Sequence, residues 1–180
     1  MNKLCILVSG LPASGKSTLG RKIAQELGLA FLDKDDYLER LFHTKGIGDT
    51  DWRRQLSRES DIFFQNDAID AGSVVLVSHW RPKGGDSLSG TSTDWLEQCF
   101  TCVIELHCVC PVQVAAKRFV QRKRHAGHLD DQKAPAQVLH WMSDYQQQLP
   151  LKIGVVEYVE TVTELPLGVV LGKLRKHIEY

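Results

Sequence analysis

The chain has 180 residues, with 22 Lys and Arg balanced by 22 Asp and Glu and a hydrophobic share of 43%. That length is enough to bury one core, and the zero net charge gives no global pull toward DNA, RNA or an anionic membrane. The opening MNKLCILVSG is too short an apolar run for a secretory leader and no 18-residue apolar stretch occurs, so a cytoplasmic protein with no membrane contact is expected.

Leu4 to Val8 is a continuous apolar run closed by Ser9-Gly10, the pattern of a strand covered on both faces. Leu19, Ile23, Ala24 and Leu27 then recur at helical spacing up to Gly28. A second strand over Leu29–Leu32 runs into Asp33-Lys34-Asp35-Asp36, followed by a short helix over Tyr37–Phe42. Thr50 or Asp51 can cap a longer helix ending near Ala71-Gly72, and Val74–Val77 reads as the third strand.

Residues 81–93 are rich in Gly and Ser without apolar period, which predicts a mobile loop, and Asp94 with Glu97 reads as a capping pair for a short helix. Val103–Val109 gives strand four. Pro111 opens a helix expected to run through VQVAAKRFVQRKR to Gly127, and Pro135 opens another that stops before Pro150. Val155–Val159 is strand five and Leu165–Ile178 a closing helix. Strands alternating with helices predict an α/β fold with a parallel sheet, whose ligands sit at the carboxyl ends of the strands.

Five cysteines without a secretory leader point to reduced thiols. Cys99, Cys102, Cys108 and Cys110 flank His107, but the intervening strand, at ~3.3 Å per residue, holds Cys102 and Cys108 roughly 20 Å apart, too far to share a zinc ion.

The informative stretch is Gly10-Leu11-Pro12-Ala13-Ser14-Gly15-Lys16-Ser17, a full match to G-x-x-x-x-G-K-[ST] between a strand and a helix. Gly10 and Gly15 let the backbone curl so that the N–H groups of Pro12's neighbours, Ala13 and Ser14 among them, point inward at phosphate oxygens, and the helix adds its positive end. Lys16 reaches the β- and γ-phosphates, Ser17 offers its hydroxyl to Mg2+, and Thr18 supports the α-phosphate, so ATP and Mg2+ are the expected cofactors. No N-K-x-D tetrapeptide is present to read guanine, and strand three ends Val77-Ser78 without the acid of a motor-type ATPase. The carboxylate near the metal is therefore sought at Asp33.

Loop, layout and length resemble the small P-loop kinases, the group of shikimate kinase, gluconate kinase, chloramphenicol phosphotransferase and polynucleotide kinase. The resemblance implies one kinase domain over 1–180: three layers around a five-stranded parallel sheet of order 2-3-1-4-5, with a lid at about 118–133. FLDKDD resembles the D-x-D that follows strand two in shikimate and gluconate kinases, which places Asp33 by the metal and Asp35 on the acceptor hydroxyl as base, or the reverse. Two carboxylates two apart on an extended segment point the same way; alternatively Asp35 and Asp36 cap the next helix.

In KRFVQRKRH, Arg118 and Arg122 are four apart and share a helix face. The resemblance makes them catalytic lid arginines, with Arg122 and Arg124 the competing pair, whereas as plain helix-end cations they would only complement the dipole. Arg58 lies roughly where shikimate kinase binds a carboxylate, in competition with Arg53 and Arg54. His79, Trp80 and Arg81 replace that enzyme's glycine-rich turn, which argues against shikimate and offers Trp80 and Arg81 as substrate contacts, unless Trp80 is a core aromatic. The expectation is an ATP-dependent phosphotransferase acting on a hydroxyl of a small molecule, with a sugar acid or other acidic metabolite as the candidate acceptor, nucleic acid not the expected partner and the oligomeric state left open. A polynucleotide or nucleoside 5′-kinase, and an ATP-binding regulatory or toxin-like module without an acceptor, remain the alternatives.

Overall fold

A computed structural model describes residues 3–85 and 89–178. In chain order it contains β1 (Leu4–Ser9), α1 (Lys16–Leu27), β2 (Ala30–Asp33), α2 (Lys34–Lys45), α3 (Thr50–Ala71), β3 (Val74–Val77), α4 (Leu96–Cys99), β4 (Cys102–Val109), α5 (Val112–Gln121), α6 (Pro135–Gln146), β5 (Val155–Glu160) and α7 (Leu167–Ile178). The five strands form one parallel sheet of order β2-β3-β1-β4-β5, the expected topology.

Alternation along β1 divides the core. Leu4, Ile6 and Val8 face Leu19 and Ile23 of α1 and Val170, Leu171 and Leu174 of α7. Cys5 and Leu7 face Phe64 and Ala68 of α3 with Leu96 and Phe100. A third cluster joins α5 to α6 through Phe119, Val138, Met142 and Tyr145. All the strands run the same way, so their carboxyl ends meet along one edge.

Several boundaries differ from expectation for local reasons. Helix α2 begins at Lys34 rather than Tyr37, because the Asp33 carboxylate accepts the Asp35 backbone N–H at 3.1 Å and caps it. Asp35 therefore lies in the first helical turn and not on an extended segment with Asp33. The cap of α3 is Asp49, accepting from Trp52 N at 2.9 Å, in place of Thr50 or Asp51. Asp94 does not cap α4; it accepts the Ser92 hydroxyl at 2.7 Å.

Helix α5 stops at Gln121, with Arg122 already extended at its C-cap, so the helix does not continue to Gly127. The expected mobile loop over 81–93 includes residues 86–88, which lie outside the described residues. Its ends are tied together, Arg81 N to Thr91 O and Thr91 N to His79 O, each at 2.8 Å. Among the described residues no helix is long and apolar enough to cross a membrane.

Within the apolar run of β4 stands Glu105, fully buried. Its carboxylate accepts from Ser9 Oγ at 2.5 Å, Leu151 N at 2.8 Å and Ile153 N at 3.2 Å, so it anchors the link between α6 and β5 to the centre of the sheet. Removing it strands two buried amides. Glu105→Ala is expected to lower the unfolding free energy by about 2–5 kcal/mol, read from the urea midpoint at unchanged m-value.

Candidate active site

The loop after β1 is shaped by its glycines. Gly10 has φ of 134° and Gly15 of 100°, and a Cβ on Gly10 would lie 2.9 Å from Cys108 Cβ and from Ser14 Oγ. Ser14 Oγ is buried and has no hydrogen-bond partner, a polar atom facing a loop built for an anion. The Lys16 ammonium folds back to donate to Gly10 O at 3.0 Å and Leu11 O at 2.9 Å. Burial pushes its pKa down to about 8, against the opposing pull of Asp33 and Asp35.

Ser17, in the first turn of α1, donates to Asp33 Oδ2 at 2.5 Å and joins the phosphate loop to the end of β2. Burial first, and the neighbouring Asp35 carboxylate second, push the Asp33 pKa up to about 6. A hydroxyl beside a carboxylate under stress at the mouth of a phosphate loop is the hard-oxygen pair that suits Mg2+, which takes few protein ligands and keeps its waters.

Loop, Asp33 and Asp35 open on one cavity of about 930 Å3. Its far wall is the segment after α5. Arg124 Nη2 donates to Asp35 Oδ2 at 2.5 Å and shares a 2.9 Å contact with His128 Nδ1, while its Nη1 donates to Asp130 Oδ2 at 3.0 Å. His128 is fully buried, and its Nε2 lies 2.8 Å from Glu39 Oε1 of α2. Because Nδ1 receives an arginine N–H, the imidazole is neutral with its proton on Nε2. His125 stacks on Phe42 of the same helix, centroids 5.3 Å apart. Burial would raise the Asp35 pKa, but the Arg124 guanidinium, with Arg122 and Lys16 behind it, outweighs it and holds the carboxyl below its usual range.

Residues 5–73, from β1 to the end of α3, match the AAA domain family. The chain is 25% identical over 175 residues to the shikimate kinase of Pseudoalteromonas translucida, covering 97% of this chain and 96% of the other. It is also 25% identical over 136 residues to a "Probable gluconokinase" of Xenopus tropicalis, 68% and 70% of the two chains. A crystal structure from Chloroflexus aurantiacus, described as that of a kinase candidate, shares the fold with a TM-score of 0.80 at 25% identity over 98% of this chain and 99% of that one. Over nearly its whole length the chain is similar to P-loop kinases of the shikimate and gluconate kinase type.

Of the two arginine pairs the sequence offers, Arg122 and Arg124 are the one that converges, both on Asp130. Arg118 and Arg122 do not act from one helix face. Arg118 turns to Thr161 O at 3.5 Å and Val162 O at 3.3 Å after β5, while Arg122 turns to Asp130 at 3.1 Å. Of the three arginines on α3, Arg58 is exposed at the cavity rim and Arg54 pairs with Asp51 at 2.7 Å. Arg53 is the one turned inward: it lines the cavity and its Nε is buried.

Trp80 is not a substrate contact. It is 1% exposed and donates its indole N–H to Val8 O at 2.9 Å inside the core beneath the site. Arg81 lines the cavity but spends its donors on Ser89 O and Gly90 O, both at 3.0 Å.

Sequence reasoning gave no role to Lys34, which caps nothing but grips Asp61 at 3.0 Å and Ser57 Oγ at 2.7 Å, tying α2 to α3 under the cavity. Nor did it single out Glu39 or give His128 a partner, although His128 stands four residues after Arg124 of the competing lid pair.

His79 forms the remaining wall, its ring 4.5 Å from Tyr145 and 5.7 Å from Trp141. Burial, reinforced by Lys16 and Lys34, pushes its pKa down to about 3. The unfolded chain therefore binds a proton there that the folded one does not, and stability falls as pH drops from about 6.5 toward that value. His128, lowered by burial and by Arg124, acts in the same direction. The drop in Tm between about pH 7.5 and 5.5 should be about 2–4 °C smaller in His79→Gln than in the parent, by calorimetry at both pH values.

Proposed function

We propose that this kinase moves the γ-phosphoryl group of ATP to a hydroxyl of a small acidic molecule. The observation that carries this reading is the placement of Asp35 on the same cavity as the phosphate loop, paired there with Arg124 of the segment after α5. Beyond the phosphate loop the same cavity is lined by Arg53, Arg58 and Arg81, cations for which a water acceptor has no use.

The parts divide the work as follows. The loop amides and Lys16 hold the β- and γ-phosphates, and leaving the Gly10 and Leu11 carbonyls for phosphate oxygens is a short swing of the lysine side chain. Ser17 and Asp33 would hold Mg2+, which would supply neutralisation of phosphate charge there. Thr18 stands behind them toward the α-phosphate. Arg118, against the carbonyls of Thr161 and Val162, flanks the loop on the side away from Asp35, which suits the nucleoside end of ATP better than the transferring group.

Asp35, held acidic by its cationic neighbours, is a weak base but a good acceptor for the hydroxyl proton. That suffices where the transition state is loose and bond formation to the nucleophile is late, because catalysis then rests on aligning the oxygen and stabilising charge. Arg124 and Arg122 come from the segment ending at Lys133, which docks on α2 through His125 and His128 and which we assign as the lid. Residues 1–180 act as one kinase domain in this reading.

The test is a panel of hydroxylated acids and neutral polyols with ATP and Mg2+, read by phosphorus NMR. Lys16→Ala should abolish transfer. Asp35→Asn should lower kcat about 100-fold or more while ATP affinity stays within about 3-fold, since the loop is untouched. Full turnover by Asp35→Asn with the true acceptor removes Asp35 from this role.

A further inference from the structure

The acceptor side of the cavity carries more positive charge than a hydroxyl acid with one carboxylate can neutralise. Arg53 comes from α3, Arg122 from the C-cap of α5 and Lys133 from the far end of the lid, and all three line the cavity. Asp130 is the carboxylate among them, 3.1 Å from Arg122 and 3.7 Å from Lys133. Arg124 and Asp35, paired with each other, cancel. Three cations against one carboxylate leave two positive charges in a chain whose overall charge is zero.

The hydrogen-bond inventory points to the same place. Arg124 has partners at Asp35, His128 and Asp130. Arg53 Nε and Arg122 Nε are both buried with no partner, and among the described residues no carboxylate lies within 4 Å of Arg53. Buried donors without acceptors are rare in folded proteins and mark a missing group. Burial first and the Arg124 charge second lower the pKa of both guanidiniums, the mark of cations crowded together without enough counter-charge.

Resting on the kinase reading above, we infer that the acceptor carries, besides its hydroxyl, a dianionic phosphate monoester that seats among Arg53, Arg122 and Lys133. A phosphate group has the two charges this cluster lacks and three oxygens to meet the two open Nε–H donors and the ammonium, whereas a single carboxylate would leave a cation uncompensated. The substrate class is thus a phosphorylated polyol or sugar, made by an earlier phosphotransfer to the same carbon skeleton and phosphorylated here a second time at a free hydroxyl. The γ-phosphoryl bond to the β-phosphate oxygen breaks, the acceptor oxygen takes its place on phosphorus, and the hydroxyl proton leaves by way of Asp35. The existing monoester is a handle and does not react.

The binding experiment uses the full chain with Mg2+ and a non-hydrolysable ATP analogue filling the phosphate loop, titrated calorimetrically with inorganic phosphate and, separately, with acetate at about pH 8, where phosphate is mostly dianionic. One phosphate per chain should bind at least about ten-fold tighter than acetate, and Arg53→Gln and Lys133→Gln should each weaken it about ten-fold or more with analogue affinity retained. Lys133 is 40% exposed, so that variant keeps the test open if Arg53→Gln fails to fold. Acetate binding as tightly as phosphate, loss of the phosphate isotherm once the analogue is bound, or wild-type phosphate affinity in both variants would each overturn the inference.

The transfer assay separates the two readings. A phosphate-bearing acceptor should exceed its unphosphorylated parent by about ten-fold or more in kcat/KM. Efficient transfer to the unphosphorylated acid alone defeats the phosphate seat and leaves the kinase reading standing. A phosphate seat that binds as described, with no transfer to any hydroxyl, does the reverse.

Discussion

The 2.5 Å contact from Ser17 to Asp33 is the constraint on which the geometry of the site turns, because it joins elements that are not neighbours in the sheet. Between β1, which feeds the phosphate loop, and β2, which ends in Asp33, lies β3. For Ser17 to reach across, α1 must lie close on the sheet. Gly20 permits this: a Cβ there would sit 2.9 Å from Val77 and 3.0 Å from Phe31, so the helix axis passes over β3 at a distance no larger residue allows. The same crossing explains why β3 ends in Val77-Ser78 with no acid of its own. A carboxylate at its tip would compete with Asp33 for the same hydroxyl, in a place where the neighbouring Asp35 already pushes the Asp33 pKa up.

A second consequence is that the cap of α2 and the candidate metal carboxylate are one residue. Oδ2 of Asp33 takes the Ser17 hydroxyl and Oδ1 takes the Asp35 amide. Asp35 is thereby fixed in the first turn of α2, where the helix end favours its ionised form and where Arg124 can meet it. The relative placement of the two acids is set by one helix cap rather than by the alternation of an extended strand, and it is stiffer for that reason.

The strands, their parallel arrangement and the phosphate loop were legible in the sequence because each rests on local pattern: apolar runs, glycine placement and a motif with its own strand-to-helix context. Asp33 and Asp35 were legible as a pair, but not the turn between them, since a DKDD run fits a strand end and a helix cap equally well. The end of α5 was invisible, because QRKRH contains no Gly or Pro and every residue in it tolerates a helix; where the helix ends, Arg122 is extended and meets Asp130, a partner distant enough to leave no local signal. Glu105 was hidden in an apolar strand, its partners 46, 48 and 96 residues away in sequence. Trp80 illustrates the converse: an aromatic beside strand-end polar residues looks like a ligand platform, yet its indole N–H finds Val8 O and Tyr145 donates to its carbonyl at 2.6 Å, so it braces the site from beneath.

The segment after α5, the proposed lid, illustrates how a chain without net charge can hold a basic cavity. Its cations are set against carboxylates supplied mostly by the lid and by α2, so that Arg124 closes on Asp35, His128 and Asp130 while Arg53 and Arg122 keep donors unspent. Closure is thus stabilised by protein groups on one side and left incomplete on the other. On the proposed reading, an arriving γ-phosphoryl group competes with Asp35 for Arg124, and in doing so frees that carboxylate to take the acceptor hydroxyl. The lid arginine and the acceptor-orienting acid then cannot both be engaged until both substrates are present, which ties transfer to the filled site and disfavours water as the acceptor.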